Sequence, residues 1–272
     1  MRLFFCRQRI PVFDQSFERL RFMIAHLPIQ LQKKLTRHVS QCSIAWELIE
    51  PNDKIMVAFS GGKDSILLIH LLDSIRRIVP FDFEIGVFHL NQSAPDFPAK
   101  KALEQIASEG FEVWHEDLET ASILAEKIAA DESPCGLCSR LRRGIIYTQA
   151  TQRGYNKIAL GHHRDDAIET FMMNALFNGQ IKSMPPKLVA DNGHNVIIRP
   201  MLYVAEEWLI EASKYLDVAV TEQTFCTRGH SGQRYETKQL LAELERRNPN
   251  AKGSLMAALH HVVRTHLLDK GI

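Results

Sequence analysis

Val57-Ala58-Phe59-Ser60-Gly61-Gly62-Lys63-Asp64-Ser65-Ile66-Leu67-Leu68 joins an apolar run to a glycine turn and then to a second apolar run. Residues 55–59 read as a buried strand, and residues 66–72 continue with helical character. Strand, glycine turn and helix start follow in twelve residues. Two adjacent glycines let the backbone fold tightly and let an anion come close to it. A helix beginning near Asp64 points its free N–H groups and positive dipole end back at the loop. Ser60, Lys63 and Ser65 add two hydroxyls and one cation. The stretch is suited to holding phosphate. It is not a Walker A loop, because Asp64 follows Lys63 and the leading glycine is missing. It is not Gly-x-Gly-x-x-Gly either.

From Lys54 onward, strands alternate with helices. Strands are expected at 55–59, 83–90, 111–115, 157–160 and 195–199. Helices are expected at 65–77, 99–109, 123–130, 139–153 and 164–177, with Gly110 and Gly154 closing two of them. This order predicts an α/β fold: a parallel five-stranded sheet with helices on both faces. Ligands then sit at the carboxyl ends of the strands. Two helices, 17–27 and 29–49, precede this region and part near Pro28. After Pro200 the chain reads as helices 204–215, 234–247 and 254–268. The expected organisation is an N-terminal helical segment (1–50), a nucleotide-binding domain (51–203) and a C-terminal helical region (204–272).

Composition bounds the answer. At 272 residues, 45% hydrophobic and 24% charged, the chain has the make-up of a globular protein. No apolar run approaches the ~20 residues that cross a bilayer, and residues 1–10 do not form a signal-peptide pattern. A cytoplasmic location and no membrane partner are expected. The net charge of +1 leaves any case for nucleic acid to local clusters. Five cysteines, an odd number, argue against a disulfide framework.

A second strand end has the same design: Ile158-Ala159-Leu160-Gly161-His162-His163-Arg164-Asp165-Asp166-Ala167-Ile168-Glu169-Thr170. Asp165 and Asp166 suit the first turn of a helix. The functional reading is that Gly161 lets a nucleotide approach the backbone, while His162, Asp165 and Asp166 help hold Mg²⁺ and phosphate. A third stretch is Ser133-Pro134-Cys135-Gly136-Leu137-Cys138-Ser139-Arg140-Leu141-Arg142-Arg143-Gly144. One Cys-x-x-Cys is compatible with a redox pair, half a zinc site or part of an iron–sulfur cluster. The arginines favour thiolate. Together with Lys33, Lys34, Arg37, Lys182 and Lys187 they offer contacts to a nucleic-acid backbone.

Ser-Gly-Gly-Lys-Asp-Ser after a buried strand resembles the pyrophosphate loop of the PP-loop ATP pyrophosphatases. Cys135–Gly144, the segment around Gly161 and Met184-Pro185-Pro186-Lys187-Leu188 narrow the likeness. In their order and spacing, the chain resembles the tRNA 2-thiocytidine synthetase (tRNA-cytidine 2-sulfurtransferase) family from about Leu31 to the C-terminus. Arg199-Pro200 and Val262–Leu267 are part of the resemblance.

The resemblance implies an adenine nucleotide alpha-hydrolase-like fold, ATP with Mg²⁺, a tRNA partner and a [4Fe-4S] cluster held by three cysteines. It places nucleotide contacts at Ala58, Ser60, Gly61, Gly62, Lys63, Asp64, Ser65, His89, Gly161, His162, Asp165 and Asp166, with Lys63 and Asp64 catalytic. The cluster ligands carry over to Cys135, Cys138 and Cys226, which also serve catalysis; Gly229 stands where a fourth cysteine would be. The implied reaction makes 2-thiocytidine in an anticodon loop through an adenylated base. A sulfur donor system such as a cysteine desulfurase, and a homodimer, are further implied partners. The chain departs from the family at His89-Leu90-Asn91-Gln92, where the family's usual acid is replaced by Asn91. Two rival readings stay open: another PP-loop enzyme (a uridine thiolase or an amide-forming ligase), or a zinc-bound RNA- or nucleotide-binding protein without activity.

Overall fold

The structure is a computed structural model that describes residues 8–9, 26–92, 99–118, 135–216 and 232–268. Its elements run β1 (Gln8–Arg9), α1 (Ile29–Ala45), β2 (Lys54–Phe59), α2 (Lys63–Arg76), β3 (Glu84–Asn91), α3 (Lys100–Ser108) and β4 (Glu112–Asp117). They continue with α4 (Cys135–Gln152), β5 (Lys157–Ala159), α5 (Arg164–Phe177), β6 (Lys187–Val189), β7 (Val196–Ile198), α6 (Glu206–Ser213), α7 (Gln233–Arg247) and α8 (Ala251–His260). A 3₁₀ turn covers Arg264–His266.

The seven strands form one sheet in the order β1-β4-β3-β2-β5-β7-β6. The five expected strands are its parallel centre. Two edge strands, β1 and β6, were not expected, and both run antiparallel to their neighbours. Each is only two or three residues long, too short for a period-2 pattern to register.

Alternation along β2 sorts side chains to the two faces. Ile55, Val57 and Phe59 enter a core with α1, α2, α3 and α6. Met56 and Ala58 enter a second core with Ile146 and Ala150 of α4. Helices therefore cover both faces, as βαβ order requires. Gly86 of β3 makes room for this second layer. A Cβ there would stand 2.7 Å from Trp114 Cζ3 and would overlap the Tyr155 hydroxyl. At the amino edge of the sheet, buried Lys157 donates to the Leu48 carbonyl (3.0 Å) and pairs with Glu50 and Asp53, both at 2.6 Å. This ties the end of α1's connection to β5, on the side away from the loop at Ser60.

Three boundaries differ most from expectation. Helix α1 stops at Ala45 rather than 49, because Glu47 takes a left-handed φ of 48°. Helix α4 begins at Cys135 rather than 139, so both cysteines of the pair lie on it. The last helix ends at His260, before the β-branched pair Val262-Val263, and not at 268. The expected helix 123–130 and most of 17–27 lie outside the described residues.

Candidate active site

Residues Ser60–Gly62 link the carboxyl end of β2, the central strand, to α2. Gly61 takes φ 87°, a left-handed turn that glycine adopts without strain. Gly62 is the N-cap of α2, and no side chain caps that helix start. The two hydroxyls serve the loop itself. Ser65 Oγ donates to the Gly62 carbonyl (2.8 Å) and accepts from Ser60 N (3.3 Å). Ser60 Oγ lies 3.2 Å from Ser65 Oγ and accepts from Gly62 N at 3.4 Å. The loop is thus braced internally, and its first-turn amides are left for an anion. Lys63 Nζ pairs with Asp64 Oδ2 at 3.0 Å. Asp64 Oδ1 is buried with no hydrogen-bond partner. A buried anionic oxygen in that state suits a hard cation.

Gly161 follows β5, beside β2 in the sheet. A Cβ on it would lie 3.3 Å from Asp64 C and 3.3 Å from Ser65 N. The glycine permits contact between two backbone segments of the site. Next to it, His162 Nδ1 accepts from Arg199 Nε at 3.3 Å. Desolvation pushes the His162 imidazole down to about 4, against Asp166 and with help from the Arg199 and Arg234 cations.

The acidic pair expected to hold Mg²⁺ has other partners. Asp165 is buried; its Oδ2 accepts from Glu206 N (2.9 Å) and its Oδ1 pairs with Lys252 (3.0 Å). Burial pushes its carboxyl upward, but the Glu206 N–H, Arg164 and Lys252 outweigh this and hold it below the usual range. Asp166 Oδ2 accepts from His163 N (3.0 Å) in a capping box, and its Oδ1 faces Arg234 at 3.4 Å. The pair caps α5 and docks α6, α7 and α8. Capping and docking use the oxygens that Mg²⁺ would need.

Two further expected contacts are also supports. The Ala58 side chain packs in the α4-side core, leaving only its backbone to a ligand. His89 is 1% exposed; its Nδ1–H donates to the Phe59 carbonyl (2.9 Å), and its ring stacks on His115 at 5.5 Å. It braces the residue just before Ser60. Burial holds its imidazole at about 4, in the neutral form.

Cys138 reaches the same carboxyl edge. Its thiol is partly exposed, and Gln92 Nε2, one residue past β3, lies 3.8 Å from its Sγ. Cys135 is on the same turn of α4, where an i, i+3 pair shares a helix face. The Cys135 side chain and all of Cys226 lie outside the described residues. A partly exposed thiol on a helix start beside polar side chains fits thiolate ligation of iron. Cys42 does not fit, since burial pushes its thiol up to about 12. Among the described residues, no group of three or more His, Cys, Asp or Glu side chains converges on a metal position. Asn91, which stands where an acid was expected, donates from Nδ2 to Asp117 Oδ1 at 2.7 Å, so a carboxylate from the next strand stands beside it. Of the basic residues, Lys187 is taken by the Glu47 carbonyl (2.6 Å), and Lys34 lies over the Trp208 ring at 3.7 Å. Lys33, Arg37, Arg140, Arg142, Arg143 and Lys182 are exposed. No helix among the described residues is long and apolar enough to cross a membrane.

A phosphate-competent helix start at the centre of this sheet, met by a second glycine at the adjacent strand end, defines a PP-loop protein. The PP-loop domain family matches residues 28–224. The chain belongs to the tRNA-cytidine(32) 2-sulfurtransferase family. It is 40% identical over 243 residues to the protein of that name from Anaeromyxobacter sp. (strain K), covering 89% of this chain and 84% of that one. It is also 40% identical over 240 residues to the one from Polynucleobacter asymbioticus, covering 88% and 80%. The fold is shared with the U34-tRNA thiolase NcsA from Methanococcus maripaludis, described with its [4Fe-4S] cluster. The TM-score is 0.71 at 20% identity, over 88% of this chain and 84% of that one.

Proposed function

We propose that this protein thiolates a cytidine of the tRNA anticodon loop at C2, using ATP to activate the base. The reading rests on one juxtaposition above all. The uncapped start of α2 and the Cys138 thiol lie at one carboxyl edge, at the ends of neighbouring strands β2 and β3.

The cytosine C2 oxygen is a poor leaving group. Its attack on the ATP α-phosphate gives an adenylated base and releases pyrophosphate. The amides of Gly61 and of Lys63 to Ser65 hold the phosphates, and Lys63 exchanges Asp64 for phosphate oxygen. Asp64 Oδ1 would hold Mg²⁺, which would supply positive charge to offset that of the phosphates. Gly161 keeps the β5 end against this loop, and His162 offers its ring beside it. His89 steadies the loop from below through the Phe59 carbonyl. Sulfide-level sulfur from a donor system then forms the C–S bond at C2, and the C2–O bond breaks as AMP leaves with that oxygen. Cys135, Cys138 and Cys226 would hold a [4Fe-4S] cluster, and that cluster would supply the sulfur-transfer chemistry. The target base must be unpaired, as in a loop, for its edge to be reached. The exposed arginines of α4 and Lys33, Arg37 and Lys182 contact the RNA backbone.

The test is nucleoside analysis of tRNA from cells lacking this protein. Loss of 2-thiocytidine, restored by the wild-type gene, is expected. Its persistence overturns the reading and returns the uridine thiolase and ligase alternatives.

A further inference from the structure

The geometry points to Arg199 as the positioning residue that selects which nitrogen of His162 carries the proton, and so which donor this ring presents beside the Gly61–Ser65 loop. The inference rests on the reading of the Gly161–His162 edge as part of the nucleotide site.

A guanidinium only donates hydrogen bonds. Arg199 Nε lies 3.3 Å from His162 Nδ1, so Nδ1 must accept and carries no proton. A neutral imidazole then has its proton on Nε2. No described residue accepts a hydrogen bond from that Nε2, and His162 is only partly buried. The Nε2–H group therefore remains for a ligand oxygen. It adds a donor without adding charge.

Arg199 is itself held at several points. Its Nη1 donates to the Pro185 carbonyl at 2.7 Å, and its backbone N–H donates to the Pro186 carbonyl at 2.9 Å. Its own carbonyl accepts from Leu202 N (3.3 Å) and from the Cys42 thiol (3.7 Å). A side chain anchored at Nη1 and on a fixed backbone cannot turn its Nε elsewhere. Such a partner holds the tautomer of an active-site histidine much as an outer-shell group holds that of a metal-bound one. The segment Met184–Lys187 thereby acquires a role: it fixes Arg199, which fixes His162.

The experiment reads the tautomer directly, by nitrogen-15 NMR of the full chain labelled at histidine, with the His162 signals assigned from His162→Gln. In the wild type, His162 is expected to show an unprotonated Nδ1 and a protonated Nε2. In Arg199→Met, which has no donor, the two tautomers should mix, and kcat for pyrophosphate release should fall about tenfold. The KM for ATP should move less. Arg199→Lys, which keeps a cationic donor, should keep the Nε2–H form and recover part of the rate. A protonated Nδ1 in the wild type, or an unaltered tautomer in a folded Arg199→Met protein, overturns the inference. If the tautomer behaves as stated but His162→Ala releases pyrophosphate at the wild-type rate, the nucleotide reading of this edge falls and the tautomer assignment stands.

Discussion

Gly161 and Ser65 belong to different crossovers, yet a Cβ on Gly161 would stand 3.3 Å from the Ser65 backbone nitrogen. The atoms it would meet are backbone and cannot swing aside. Gly161→Ala should therefore push the start of α2 by a few tenths of an ångström. A small misplacement at a reacting centre is costly, so kcat/KM for ATP should drop about tenfold or more. The melting temperature should change little, because the contact is at the sheet edge. Pyrophosphate release at the wild-type rate would show that the loop tolerates the shift.

Lys63→Ala and Asp64→Asn test the loop from within. Each removes a charge facing the phosphates, and each should lower ATP cleavage by about a hundredfold. Asp64→Asn should also weaken the dependence on Mg²⁺. Titration of Mg²⁺ against pyrophosphate release checks both, and an unchanged Mg²⁺ dependence removes Asp64 Oδ1 from the cation's ligands.

The cysteines should separate by environment. Cys135→Ala, Cys138→Ala and Cys226→Ala should each abolish 2-thiocytidine while the protein stays folded. Cys42→Ala should do the reverse: modification persists, and stability falls by about 1–2 kcal/mol from the buried volume lost. Nucleoside analysis and urea unfolding, run on all four variants, distinguish the two classes. Full modification in any of the first three removes that residue from the ligand set.

His70 and Glu109 form a buried contact on the other face, 3.6 Å apart. Burial lowers the His70 pKa from 6.5 to about 4 and raises that of Glu109 from 4.5 to about 7. The signs oppose. As pH falls from 6.5 toward 4, the unfolded chain binds the His70 proton first, and stability is lost. As pH falls from 7 toward 4.5, the folded chain binds the Glu109 proton first, and stability is gained. In the wild type the two largely cancel between about pH 5 and 6.5. Glu109→Gln leaves the His70 loss alone, at about 1.4 kcal/mol per pH unit below 6.5. Urea unfolding at pH 7.5 and pH 5 measures it, and equal slopes in variant and wild type refute the assignment.

Lys252 holds α8 to Asp165 at 3.0 Å and to Glu245 at 2.9 Å. Lys252→Met should cost about 1–3 kcal/mol, since buried Asp165 loses one of its two cations but keeps Arg164 and the Glu206 N–H. Limited proteolysis should then cut first within the C-terminal helices. Wild-type resistance would mean that apolar contact alone holds them.

The phosphate loop was legible because its information is local. Gly61 and Gly62 mark the turn, residues 55–59 mark the strand, and both cues lie within a few residues of the chemistry. The five parallel strands were legible for the same reason, each bounded by its own turn residues. Asp165 and Asp166 show where local reading fails. Two carboxylates at a helix start suit a cation, a cap or a docking partner equally well, and the choice depends on Glu206, Lys252 and Arg234, which are 41 to 87 positions further along the chain. His89 is similar: its place on β3 was visible, but not that its ring faces Phe59 and His115. Arg199 stands out in the sequence only as part of Arg199-Pro200 in the family resemblance, with no sign that it reaches His162.

Sequence alone established an α/β chain with a phosphate loop, a second glycine strand end and a cysteine pair near a helix. Those features follow from backbone conformation and residue chemistry over short spans. Which polar groups face the ligand and which brace the scaffold was settled by packing across the sheet. Parallel strands and their crossovers bring side chains from distant segments within hydrogen-bond range, and a carboxylate or imidazole takes the partner that burial leaves it.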